Sequence, residues 1–259
     1  MKMEKRQFGW VVMIFIVALL AGNAKASLVA HYEFEGNAND SAGSNNGTRY
    51  GDASFFNDPQ RGQVLSLDGN GDYVSLSANA VTTTEFTVAT WANQLGFGGG
   101  TYGGNPIFCQ RDDAVGDNRS SIHLYACLGI TAAFAGAGIR SSNGAAQTLS
   151  SPMMGYKEWH HYAVTVNSIG LVFYIDGIEM DRAANNQSGN YITSIDEVDI
   201  GRHWYRGIVY AGFFNGLIDD VRIYNTALSQ EEIMSIVPEP ATLLLFGMGA
   251  VMLRNRRFR

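Results

Sequence analysis

Apolar and polar positions alternate along most of this chain with a period of two. Glu85-Phe-Thr-Val-Ala-Thr-Trp91 is the clearest case, with Phe86, Val88 and Thr90 on one face. Successive strand side chains point to opposite faces of a sheet, so this alternation predicts a strand. Leu28–Phe34 alternates in the same way. Val64–Leu67 and Tyr73–Leu76 flank an Asp68-Gly-Asn-Gly-Asp72 turn. Trp159–Val166 and Leu171–Ile175 predict a hairpin around Asn167-Ser-Ile-Gly170, and Asp176-Gly177 turns the chain again. Phe213–Tyr224 contains the last long strand. Between these runs lie clusters of Gly, Asn, Asp and Ser, which supply turn chemistry. Before the C-terminal tail no long stretch has helical period. Only Ser229-Gln-Glu-Glu232 has capping-box spacing, which predicts one short helix leading into Ile233. Many short strands separated by turn signals predict an all-β sandwich or barrel.

The two ends break this pattern. Lys2, Lys5 and Arg6 precede an apolar run from Phe8 to Gly22, and Ala24-Lys25-Ala26 is a small-x-small cleavage site. Residues 1–26 therefore read as a secretory signal peptide, cut after Ala26. At the other end Pro238-Glu239-Pro240 is followed by an apolar run, Ala241–Leu253, and by Arg254, Arg256, Arg257 and Arg259. Arginines stay on the cytoplasmic side of a membrane, so this layout predicts a body held outside by a C-terminal helix. Residues 237–259 resemble the PEP-CTERM sorting signal, which exosortases process in Gram-negative bacteria. The resemblance implies an exosortase-type partner. It also implies an inner-membrane-held precursor that goes on to the cell surface or extracellular matrix. A plain C-terminal anchor is the alternative.

Charge sharpens the picture once the ends are set aside. The whole chain has a net charge of −6. The body, residues 27–236, keeps 10 basic and 22 acidic residues, with Lys157 its only lysine. An acidic body argues against nucleic acid, which needs a basic patch.

Six segments in order are similar to the LamG-like, concanavalin A-like jelly-roll domain. They are Leu28–Phe34 with Asn39–Gly43, Leu67–Val74, Phe86–Trp91, Trp159–Thr165 with Phe173–Gly177, Ile200–Arg202, and Phe214–Asn225. The resemblance implies an all-β jelly-roll β-sandwich of two antiparallel sheets over residues 27–236. Fold alone does not fix function.

Four chemistries are open to such a body. Jelly-roll glycosidases carry a Glu-x-Asp-x-x-Glu strand. Here Glu197-Val-Asp199-Ile-Gly-Arg202 ends in an arginine, which cannot act as the acid that glycoside hydrolysis needs. The expectation is therefore a non-catalytic protein. Calcium needs several oxygen ligands. The resemblance points to a structural Ca²⁺ held by Asp40, Asn45 and Asp220, with turn formation as the competing role for these residues. Export permits a disulfide between Cys109 and Cys127, the only cysteine pair, with two buried thiols as the alternative. Sugar recognition wants exposed aromatics beside polar groups. Arg202, Trp204, Tyr205 and Tyr210 form one such cluster, and Phe97–Tyr102 is another. The expected role is a surface or matrix protein that binds carbohydrate or exopolysaccharide. The alternatives are an adhesive protein with a protein partner and a glycan-active enzyme.

Overall fold

The computed structural model describes residues 26–77, 80–100, 104–111, 120–127, 134–140, 146–152, 154–187, 197–205 and 208–237. The predicted signal peptide up to residue 25 lies outside the described residues, as does the tail with Pro238, Glu239 and Pro240. No helix among the described residues is long and apolar enough to cross a membrane.

Two antiparallel sheets face each other, as expected for a jelly-roll sandwich. The first runs in the order β13 (Ile178–Ala184), β12 (Gly170–Ile175), β11 (Trp159–Val166), β6 (Phe86–Gln94), β17 (Asn215–Tyr224), β4 (Gly62–Asp68), β3 (Ser54–Asp58). Strand β1 (Leu28–Tyr32) also pairs with β17, beyond the end of β4. The second sheet runs β10 (Ala146–Pro152), β9 (Phe134–Arg140), β8 (Ser120–Cys127), β7 (Asn105–Arg111), β14 (Glu197–Ile200), β5 (Tyr73–Leu76), β2 (Gly47–Tyr50). A separate hairpin, β15 (Arg202–Tyr205) and β16 (Ile208–Phe213), packs against β7 and β8. The inner faces meet in one core, where Tyr32, Phe34, Phe86, Phe108, Phe173 and Phe214 are fully buried.

Local chemistry explains the strands' limits. Asn167 closes the β11–β12 turn, its Oδ1 accepting the N–H groups of Ile169 and Gly170 at 2.9 Å each. Strand β6 alternates in sequence yet is buried throughout. Its outer face is covered at the centre of the sheet. Ala89 lies under the short helix α1 (Gln230–Ser235), and the Arg61 guanidinium lies 4.4 Å from the Trp91 ring centroid. Helix α1 starts as predicted. Ser229 accepts from the Glu232 N–H, and the Glu232 side chain returns to the Ser229 N–H. Its Ile233 buries against Ala89, Ala163, Tyr174, Tyr224 and Leu228, and Ala26 and Ile236 pack against this satellite core. Both ends of the body therefore meet on the outer face of the first sheet. The last long strand, β17, lies inside the expected Phe213–Tyr224 segment, with Phe214 separating it from β16. A bulge between Asp219 and Arg222 puts Asp220 at φ 53°.

The disulfide expectation is corrected. Cys109 and Cys127 are two buried thiols, not a bridge. They lie on adjacent strands, but Cys109 pairs with His123 while Cys127 pairs with Asn105. Four residues of offset separate the Cα atoms by about 13 Å along the strand, about twice the reach of a disulfide.

Candidate functional site

A cavity of about 450 Å³ opens between two turns and the β15–β16 hairpin, lined by Tyr50, Gly51, Asn70, Gly71, Tyr73 and Phe213. Two cross-strand pairs build it. Tyr50 is the register partner of Tyr73, and Arg202 is the partner of Phe213. The Tyr50 and Tyr73 rings stack with centroids 4.7 Å apart and planes 5° from parallel. Tyr50 keeps 46% of its surface exposed, so one aromatic face is left to the solvent side. Arg202 lies behind Tyr73, its guanidinium carbon 3.6 Å from the ring centroid.

Arg202 is itself fixed from below. Its Nε and Nη2 donate to the Asp199 carboxylate at 2.9 and 2.7 Å, and Nη2 lies 3.5 Å from Glu197. Arg202 is 3% exposed and Asp199 1%. The structure thus revises the role expected of Arg202, from ligand contact to a buried support for Tyr73. The Glu197–Asp199 pair is held by the arginine that replaces the third carboxylate of the glycosidase pattern. Trp204, Tyr205 and Tyr210 lie on the hairpin backbone, and their side chains lie outside the described residues.

The rim of the cavity is acidic. Ligand atoms of Asp52, Asp68 and Asp72 lie within 4.8 Å of one another. Asp72 is buried and ties the two turns together. Its Oδ1 accepts the Asp52 N–H at 2.8 Å and its Oδ2 the Asp68 N–H at 3.1 Å. Burial pushes the Asp72 carboxyl above its ordinary range. Asp52 and Asp68 are exposed.

Beside the cavity, the hairpin covers a titratable patch on the outer face of the second sheet. Burial lowers His203 to about 4. Burial, then the Arg140 and His203 charges, lower His123 to about 3. The Tyr125 ring lies between the two, 5.3 Å from His123 and 5.2 Å from His203.

The residues expected to hold Ca²⁺ are placed elsewhere. Topology brings Asp220 beside the first strand, as foreseen, but His31 stands between it and Asp40. Asp40 accepts the backbone N–H groups of His31, Ala42, Gly43 and Asn45. Asp220 accepts from His31 Nε2 at 2.5 Å and Arg222 Nε at 2.8 Å. Burial would raise the Asp220 carboxyl, yet the His31 hydrogen bond and the Arg222 charge hold it below its usual range. Asn45 Oδ1 faces the Ser77 hydroxyl. An imidazole and a guanidinium against one carboxylate, and amides filling the other, do not fit an oxygen shell for Ca²⁺.

Sequence reasoning found Arg202 but missed Tyr50, Asn70, Tyr73 and Phe213 as a set. The Asp68–Tyr73 block was visible only as a fold signature. Nothing local marked Tyr50 as its partner.

Comparison with known proteins agrees with this architecture. The chain matches the family model of the concanavalin A-like lectin/glucanases superfamily over residues 68–234. It matches the PEP-CTERM protein-sorting motif over residues 237–257. A search of curated proteins finds no match. Among solved structures, the chain is similar to domain 4 of AbnA, a GH43 extracellular arabinanase from Geobacillus stearothermophilus, in complex with arabinotriose. Identity is 21%, the TM-score 0.65, and coverage 82% of this chain and 98% of that one. It is also similar to the binding domain of Paraclostridial Mosquitocidal Protein 1, at 15% identity and TM-score 0.62, covering 82% of this chain and 52% of that one. A third is the botulinum neurotoxin type C structure concerned with two ganglioside molecules, at 14% identity and TM-score 0.60, covering 82% and 50%. The chain spans about half the length of these last two. At such identities the likeness is one of fold. With its two-sheet sandwich and the match over most of its length, this chain belongs to the concanavalin A-like lectin/glucanases superfamily and carries a C-terminal PEP-CTERM sorting motif.

Proposed function

We propose that this protein is an exported, non-catalytic glycan-binding protein that takes a sugar in the cavity between Tyr50, Tyr73 and Phe213. The observation that carries the reading is the stacked tyrosine pair at a cavity mouth, backed by a buried guanidinium. Flat aromatic faces cover the apolar faces of sugar rings, and Asn70 and the turn backbone offer polar partners for hydroxyls. Arg202, held on Asp199, makes the platform rigid before any ligand arrives, which reduces the ordering cost of binding. The non-catalytic reading rests on the same arginine, which engages both carboxylates of the Glu197–Asp199 pair. The AbnA domain is described in complex with arabinotriose, which makes arabino-oligosaccharides a sensible first probe.

The sorting motif supplies the setting. It supports export and handling by an exosortase-type enzyme, from an inner-membrane precursor to the surface or matrix of a Gram-negative cell. Helix α1 leaves the body at the Tyr224 end of β17, while Phe213 and the cavity lie at the Asn215 end. The strand between spans about 30 Å. A precursor still held by its tail would present the cavity away from the tether. An array of neutral and acidic oligosaccharides, probed with the full chain and with Tyr50→Ala, tests the reading. Binding to one or more sugars that is lost in Tyr50→Ala supports it. Binding unchanged by the substitution, or capture of a protein partner with no sugar bound, refutes it.

A further inference from the structure

The cavity is not the only aromatic station at this end of the sandwich. Phe97 is 48% exposed, and its ring meets Tyr156 edge-on with centroids 5.6 Å apart and planes at 75°. Leu95 beside it is 43% exposed. Residues 95–99 are tightly held. Gly99 N–H donates to the Gly69 carbonyl at 2.8 Å, and Phe213 N–H donates to the Gly99 carbonyl at 3.1 Å. The Asn215 amide donates to the Phe97 carbonyl at 3.2 Å. A Cβ at Gly98 would stand 1.6 Å from the Phe213 carbonyl oxygen, and one at Gly69 would stand 3.2 Å from the Gly98 Cα. Only glycine allows backbones this close.

The result is a low ridge of backbone between two aromatic stations. On one side Gly69 leads directly into Asn70 of the cavity. On the other, Gly98 leads directly into Phe97. With consecutive Cα atoms 3.8 Å apart, the path from Asn70 to Phe97 is no more than about 12 Å. Gly69 and Gly98 are buried in this contact, and Asn70 and Gly99 on either side of it are exposed.

We infer that Phe97 and Tyr156 form a second subsite, so that the protein reads an extended neutral glycan chain running from Asn70 over exposed Gly99 to Phe97 rather than a single terminal sugar. This rests on the glycan reading of the Tyr50–Tyr73 cavity. Charge sets the class of chain. The exposed carboxylates of Asp52 and Asp68 beside the cavity repel uronic-acid polymers. Two linked subsites make affinity depend on chain length, because the second contact forms at high effective concentration.

The test is a calorimetric titration of the full chain, in a detergent without a sugar headgroup. The probes are xylo-, cello- and arabino-oligosaccharides of three and six sugars, and hexagalacturonate. The six-sugar form of the preferred series is expected to bind roughly a hundredfold more tightly than the three-sugar form. Phe97→Ala should remove most of that advantage while leaving three-sugar binding unchanged, and Phe97→Tyr should restore it. Hexagalacturonate should bind more weakly than every neutral hexamer that binds. The inference is overturned if Phe97→Ala keeps the length advantage, if length has no effect, or if hexagalacturonate binds as well as the neutral hexamers. Failure of every oligosaccharide to bind would instead overturn the cavity reading itself, and this inference with it.

Discussion

Acid should unfold this protein well above the pH at which carboxylates titrate. Three histidines are buried neutral. His123 is lowered to about 3 by burial, then Arg140 and His203. His203 is lowered to about 4 by burial. His161 is lowered to about 4, again by burial, which outweighs the nearby Asp220 and Asp176. In the unfolded chain each imidazole takes up a proton as pH falls through its ordinary value of 6.5. In the folded chain it does so only near 3 to 4. The unfolded state therefore binds more protons across this window, and stability falls as pH falls. Between pH 7.5 and pH 5 each histidine costs about 2 kcal/mol, or about 6 kcal/mol for the three. Asp219 works the other way. Burial, opposed by Arg61, raises it to about 6, so the folded state gains its proton first and returns about 1.4 kcal/mol. The net loss is about 5 kcal/mol, comparable to the whole stability of many domains. Urea unfolding followed by tryptophan fluorescence at a series of pH values measures it. His123→Gln should shrink the loss between pH 7.5 and pH 5 by about 2 kcal/mol. Stability that stays flat from pH 7.5 to pH 5 would show that these imidazoles are not buried neutral.

Three further outcomes follow from the packing. Cys109 and Cys127 should both be alkylated after unfolding without reductant, because their register forbids a bridge; a mass showing an intact disulfide would contradict the β7–β8 pairing. EDTA should leave the melting temperature unchanged, since Asp40 and Asp220 are satisfied by amides, His31 and Arg222. A fall of several degrees would restore a structural cation. Ile233→Ala should cost about 2–4 kcal/mol in chemical denaturation, because Ile233 is fully buried in the satellite core under α1; a cost below 1 kcal/mol, roughly, would mean the helix is not docked there.

Much of the fold was legible where the signal is local. The β6 alternation, the Asn167 turn and the Ser229 cap depend on residues within a few positions of one another. The tripartite tail was legible for the same reason. Register was not. Whether Cys109 faces Cys127 or His123 depends on bulges around Pro106, which hydrophobic patterning does not encode. The site was half legible. Arg202 stood out as part of a charged and aromatic cluster, but its role is set by Asp199, three residues back, and by Tyr73 on another strand. Tyr50 and Tyr73 stack only because β2 and β5 pair in one particular register. The same limit hid the ridge. A glycine-rich run reads as a loose loop until Gly69 and Phe213 are seen pressed against it.

Hydroxyl-radical footprinting of the full chain, with and without a saturating oligosaccharide identified by the array, tests the central claim most directly. The account predicts that oxidation of Tyr50 and partly exposed Tyr73 falls on binding, while Ile169 and Ile178, exposed elsewhere in the fold, are unchanged. A bound sugar that leaves Tyr50 and Tyr73 as reactive as before would contradict it.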